Sequence, residues 1–171
     1  LMRSSAASDV YKRQIYNRDM GGIVMEKVYI QQRLHDFINR RLQAQNTINA
    51  MMEMRVLSIN INKKQVILQF PVQKWQLNPA GHMHGGMLST AMDITMGCAS
   101  YIFSDASFTP TIQMSVNFDK GIAEHETLVI EGYCDHVGSR IVQARAIAHF
   151  SDSNALVATA NGSYAVNHRQ N

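Results

Sequence analysis

The stretch that decides the fold reads HGGMLSTAMDITMGCASYIF and occupies residues 84–103. Its residues are mostly apolar or small, and a single acidic side chain, Asp93, interrupts them. A pattern of this length without a polar stripe is typical of a helix that is buried on most of its circumference. We therefore predict one central helix over residues 84–103, which other elements must cover.

The segments around this helix indicate a sheet. Residues 26–50 contain no Gly or Pro and repeat apolar side chains at helical spacing, so we predict an amphipathic helix there. Strand-like runs follow at 54–62 and 65–72, and four more come after the central helix, at 109–118, 127–136, 141–151 and 156–166. This order predicts an α+β domain whose mostly antiparallel sheet wraps the buried helix.

Composition limits the function classes. The chain has 171 residues, 46% of them hydrophobic and 17% charged, which is typical of a globular protein. Much of the net charge of +3 comes from the first 19 residues, and the rest is close to neutral, so nucleic-acid binding is not expected. Only Cys98 and Cys134 occur, and no apolar run could span a membrane, so a reducing cytoplasm is the expected location.

The first residues look foreign to the fold. Residues 1–14 read LMRSSAASDVYKRQ and resemble translated adapter sequence at the end of a gene model, with a natural start at Met20 or Met25. A genuine disordered tail is the alternative. We expect residues 1–19 to form this tail, residues 20–50 the N-terminal helix, and residues 51–171 a single domain.

The start of the central helix is a candidate anion site. Gly85 and Gly86 let a ligand approach the backbone closely, and a helix start exposes unpaired N–H groups at the positive end of the dipole. Such a site suits an anion or a developing oxyanion. An ordinary glycine-rich loop that enters a helix is the alternative.

Asp93 is a second candidate because a carboxylate within an apolar helix is costly unless it has partners. A structural acid that is bonded to Thr90 or Ser89 is the alternative. Asp93 lies eight residues after Gly85, roughly 12 Å along the helix axis. If both groups serve one reaction, they should come from two subunits, which predicts an obligate dimer with antiparallel central helices and two equivalent sites.

The pattern Asn78-x-x-Gly-x-x-His-Gly-Gly followed by Asp93 resembles the PaaI-like acyl-CoA thioesterases of the hotdog fold. The resemblance covers roughly residues 45–167. It implies a curved antiparallel sheet around one long helix and the hydrolysis of coenzyme A thioesters. The same resemblance makes Asp93 the catalytic acid, the Gly85 backbone the oxyanion donor and Asn78 a water-orienting amide. It puts His84 beside the thioester and an assisting hydroxyl at Thr111.

The chemistry expected of such a site is simple. Asp93 acts as a general base on water or attacks as a nucleophile, while the Gly85 N–H holds the oxyanion. We expect no cofactor and no metal, and substrate contacts from Gly86, Met87 and Met92. The expected partners are an acyl-CoA substrate and further copies of the chain, as a homodimer or a tetramer.

The sequence suggests three other functions. His82 and His84 form a possible metal pair, but two histidines are too few ligands. A serine hydrolase is disfavoured because the G-x-S-x-G pattern is absent. A non-catalytic acyl-CoA-binding or sensor module on the same fold is the remaining alternative to an enzyme.

The N-terminal helix either covers the sheet or the channel mouth, or docks on a second dimer.

Overall fold

A computed structural model describes residues 21–168, with side chains from Glu26 onward. The expectation of a tail over residues 1–19 lies outside the described residues. The elements are the helices α1 (Gly21–Leu42), α2 (Ile48–Met51) and α3 (Gly85–Phe103), and the strands β1 (Arg55–Asn60), β2 (Gln65–Pro71), β3 (Thr111–Phe118), β4 (Thr127–Val137), β5 (Ile141–Phe150) and β6 (Leu156–Ala165), with a short 3₁₀ helix at Lys74–Gln76.

One six-stranded antiparallel sheet holds all the strands, in the order β1-β2-β4-β5-β6-β3. Alternate residues of β4 and β5 are buried, and these inward side chains pack against α3. Helix and sheet approach closely at Gly132, where a Cβ would lie 2.9 Å from the Thr95 carbonyl oxygen. The predicted α+β hotdog architecture, with a curved sheet around one long helix and an extra N-terminal helix, is confirmed.

The N-terminal helix differs from its prediction. We expected one helix to residue 50, but α1 ends at Leu42 and a separate short helix, α2, follows. In the segment between them Asn46 adopts a positive φ of 61°, which a continuous helix does not contain, and the Thr47 hydroxyl then caps α2 by accepting from the Ala50 N–H. No Gly or Pro marks this break, so helical spacing alone could not locate it.

Helix α1 docks on the C-terminal end of α3. The Arg33 guanidinium donates through Nε to the Tyr101 carbonyl at 2.9 Å and through Nη2 to the Ala106 carbonyl at 2.6 Å. Tyr29 donates to Asp105 at 2.8 Å. The bond to Tyr101 satisfies a carbonyl that the helix end leaves unpaired, and the other two hold the residues just after it, so α1 fixes the end of α3 farthest from Gly85. No described helix is both long and apolar enough to cross a membrane.

Strand β3 forms one edge of the sheet, paired only with β6. A bulge between Thr111 and Gln113 inserts Ile112 as an extra residue. Two large apolar side chains stand exposed on this edge, Ile112 at 56% and Phe118 at 54%. An edge with free backbone groups and exposed apolar side chains is suited to pairing with another chain.

Candidate active site

The loop before α3 is shaped by Asn78. Its Oδ1 accepts from the backbone N–H of Ala80 at 2.9 Å and of His82 at 3.2 Å. The backbone N–H of Asn78 donates to the His82 carbonyl at 2.7 Å. Gly81 has a φ of 79°, which closes this tight turn. Since Oδ1 is occupied by the loop, the amide group of Asn78 can only offer its N–H₂ donors to a ligand or water.

His84 caps the start of α3. The ring nitrogen Nδ1 accepts from the backbone N–H of Gly86 at 2.9 Å. The backbone N–H of His84 donates to the Gln76 carbonyl at 2.8 Å. An Nδ1 that accepts requires the neutral ring to carry its proton on Nε2. The N–H of Gly86 is thereby used, whereas the N–H of Gly85 has no hydrogen-bond acceptor within residues 21–168. One unpaired donor at the positive helix end is therefore available to an oxyanion.

Asp93 is held by two hydroxyl groups from the sheet. Thr111 Oγ1 donates to Asp93 Oδ1 at 2.7 Å, and Tyr164 OH donates to the same oxygen at 2.9 Å. No donor in the described part of the chain contacts Oδ2, which is left with its lone pairs. The two hydroxyls expected for a structural acid, Thr90 and Ser89, do not bond Asp93; Thr90 instead donates to the Gly86 carbonyl at 2.9 Å.

Tyr164 is the functional candidate that the sequence did not reveal. Its side chain is fully buried, and burial, with the charge of Asp93 second, raises its pKa far above the ordinary value of a phenol. The hydroxyl therefore stays protonated and remains a donor to Asp93 throughout the physiological range. The sequence signal for this role was limited to a tyrosine within the last predicted strand.

A groove of about 400 Å³ opens beside the start of α3. Its lining includes Asn78 and Gly85, four apolar side chains from Met83, Leu88, Phe118 and Ile122, and the residues His82, Asp119, Lys120 and Gly121. Phe118 is a second residue that sequence reasoning missed. The groove thus brings together two of the predicted catalytic residues.

Other predicted residues lie elsewhere. Asp93 is not among the groove residues, and it comes eight positions after Gly85 in the helix, roughly 12 Å along the axis. Met92 is fully buried in the hydrophobic core, so its predicted substrate contact does not fit this structure. Gly86 is exposed and Met87 half-buried, but neither lines the groove. No three potential metal ligands gather within the described residues.

Comparison with known proteins finds similarity to thioesterases. The profile of the thioesterase superfamily matches residues 80–154. The resemblance to PaaI-like hotdog thioesterases is confirmed. The structure of the E. coli PaaI protein superposes with a TM-score of 0.68 at 15% identity, covering 84% of this chain and 94% of PaaI, which shows the hotdog fold.

Two relatives are more similar in sequence. The Streptococcus mutans protein smu.793, solved with acetyl CoA bound, is 26% identical with a TM-score of 0.62, over 70% of this chain and 92% of its own. A Saccharolobus solfataricus protein named "Putative esterase SSO2140" is 29% identical over 107 residues, which are 62% of this chain and 74% of that protein. The match to the superfamily profile begins within the loop that Asn78 shapes.

Proposed function

We propose that this chain hydrolyses acyl-CoA thioesters to free acid and coenzyme A. The proposal rests on one observation above all: Gly85, whose N–H has no acceptor within residues 21–168, lines the groove at the positive end of α3. The match to the thioesterase superfamily and the acetyl CoA bound by smu.793 support a coenzyme A thioester as the substrate.

The reaction uses the two groups of the proposed site, the Asp93 carboxylate and the Gly85 N–H. Water attacks the thioester carbonyl carbon and gives its proton to the free Oδ2 of Asp93. The carbonyl oxygen becomes an oxyanion that the Gly85 N–H stabilises, with the helix dipole behind it. The intermediate collapses, the C–S bond breaks, and the thiolate leaves and receives the proton from Asp93. Direct attack by Oδ2, followed by hydrolysis of the resulting anhydride, uses the same groups.

Two chains are needed for one site in this proposal. Within one chain, Asp93 and Gly85 are too far apart to act on a single carbonyl group. Pairing of the exposed β3 edges of two copies would put their α3 helices side by side and antiparallel, which brings Gly85 of one copy toward Asp93 of the other. We propose a homodimer, or a tetramer of two such dimers.

The cytoplasm is the proposed location. Cys98 and Cys134 are both free and both buried, so the fold depends on no disulfide between them. Unpaired thiols of this kind fit a reducing compartment.

The decisive experiment measures thiol release from a panel of short, medium, long and aryl acyl-CoA thioesters. Asp93→Asn is the matched variant, because an amide oxygen can still accept from Thr111 and Tyr164 but cannot take a proton from water. We expect release by the wild-type chain and a loss of about 10²- to 10⁴-fold in kcat in the variant. Binding without release for every thioester would favour the non-catalytic module instead, and an active Asp93→Asn would remove Asp93 from the mechanism.

A further inference from the structure

Phe118 lies directly against the proposed oxyanion donor. It is the last residue of β3, and its ring atom Cζ is 3.4 Å from the point where a Cβ of Gly85 would stand. The side chain is 54% exposed, which is high for a phenylalanine that lines a groove. A residue at Gly85 would meet the ring in ordinary van der Waals contact, so the ring itself does not demand a glycine there.

The ring continues an apolar wall. Met83, Leu88 and Ile122 line the same groove and are 6%, 2% and 1% exposed, so their side chains are largely fixed in the core beneath it. Phe118 is the part of this wall that is exposed in a single chain. A hydrocarbon chain in the groove would find its apolar contacts on this side and would meet Phe118 next to Gly85.

We propose that Phe118 determines the substrate class: its ring selects acyl groups that are unbranched next to the thioester carbonyl. This inference rests on the proposed function of the Gly85 N–H. A carbonyl oxygen that accepts from this N–H lies about 2.9 Å from the nitrogen. The α-carbon of the acyl group is two bonds away from that oxygen, which puts it within reach of the ring next to Gly85. A methyl branch on this carbon competes with the ring for space, whereas a linear chain passes it.

The test compares butyryl-CoA with isobutyryl-CoA, which have the same number of carbons and differ only in branching. The measured quantity is the ratio of the two kcat/KM values, in which changes in folding or active fraction cancel. We expect wild type to favour the linear substrate. Phe118→Ala should raise the relative value for the branched substrate roughly tenfold, as expected when a methyl group gains room in an apolar pocket. Phe118→Leu should fall between the two.

Ile112→Ala is the matched control. Ile112 is 56% exposed on the same edge strand but is not a groove residue, so its loss tests for effects of the strand edge, and of the proposed dimer contact there, that do not act through the acyl wall. Its ratio should equal that of wild type. An unchanged ratio in both Phe118 variants, or an equal change in Ile112→Ala, overturns the proposal.

The failure of the proposed function is a separate outcome. If wild type hydrolyses neither thioester, the dissociation constants of the same two thioesters, measured by calorimetry, replace kcat/KM. A preference for butyryl-CoA that Phe118→Ala removes would then support the role of Phe118 in a binding module. Equal affinities in wild type, or binding of neither thioester, would overturn it.

Discussion

Thr111 donates a 2.7 Å hydrogen bond to Asp93 across 18 residues of sequence, and this bond ties the edge strand β3 to the middle of α3. Together with Tyr164, it directs Oδ1 toward the sheet. The carboxylate of Asp93 is therefore oriented by the sheet rather than by its own helix. A hydrogen bond to a charged group of this kind is worth about 1.5–3 kcal/mol.

Thr111→Val should lower kcat by about tenfold to hundredfold with little change in KM, because it removes the donor and retains the shape of the side chain. Thr111→Ser restores the hydroxyl and should recover most of the activity. Steady-state thiol release from an acyl-CoA substrate checks both variants. Thr111 would be only a structural residue if the serine variant were as slow as the valine variant.

Burial of Tyr164 and two thiols predicts a loss of stability in alkali. Burial raises the pKa of Cys134 from 9.0 to about 12, and raises the pKa values of Cys98 and Tyr164 even further above their ordinary values. Above about pH 9 the unfolded chain releases protons that the folded chain keeps, so the free energy of unfolding falls as the pH rises toward 12.

The measurement is urea unfolding at about pH 8 and about pH 11. The midpoint should be lower at the higher pH, and the difference should be smaller in Tyr164→Phe, which lacks one of the titrating groups. The same variant removes a donor to Asp93, so its kcat should also fall. A midpoint that does not change over this range would contradict the assignment of these groups as buried and neutral.

His84 combines a structural and a proposed catalytic role, and two substitutions separate them. His84→Ala removes the cap on the Gly86 N–H and should lower the free energy of unfolding by about 1 kcal/mol. His84→Asn can keep the cap and should keep the stability. If the ring also lies beside the thioester, kcat or KM should worsen in both variants. Full activity in the stable asparagine variant would limit His84 to capping.

Sequence patterns predicted those parts of the molecule that depend on local spacing. The start of α3 was predicted at His84 and occurs at Gly85, because a cap and two glycines mark it. The break after Leu42 was missed because no Gly or Pro marks it in the sequence. Tyr164 was missed for another reason: its bond to Asp93 joins residues 71 apart, and only the folded sheet brings them together.

Gly85 offers a direct test of the oxyanion donor, since proline is the one residue that removes the N–H. Proline is favoured at the first position of a helix, and His84 has φ −62° and ψ 136°, which suits a residue before proline. Gly85→Pro should therefore fold and lose about 10²- to 10³-fold in kcat. Gly85→Ala retains the N–H, and its Cβ would lie 3.4 Å from the Phe118 ring, so it should retain most of the activity. Equal losses in both variants would assign the effect to the missing glycine rather than to the N–H.

Gly85→Pro, mixed with Asp93→Asn, decides whether two chains share one site. Asp93→Asn and Gly85→Pro should each be inactive alone, yet a mixed dimer combines an intact Gly85 from one chain with an intact Asp93 from the other. Co-refolding equal amounts makes half of the dimers mixed, each with one working site out of two, so thiol release should return to about a quarter of the wild-type rate. Sites contained within single chains would show no recovery, because every chain in the mixture carries one defect. Sedimentation of the mixture confirms that dimers have formed, so an absence of recovery would count against the shared site itself.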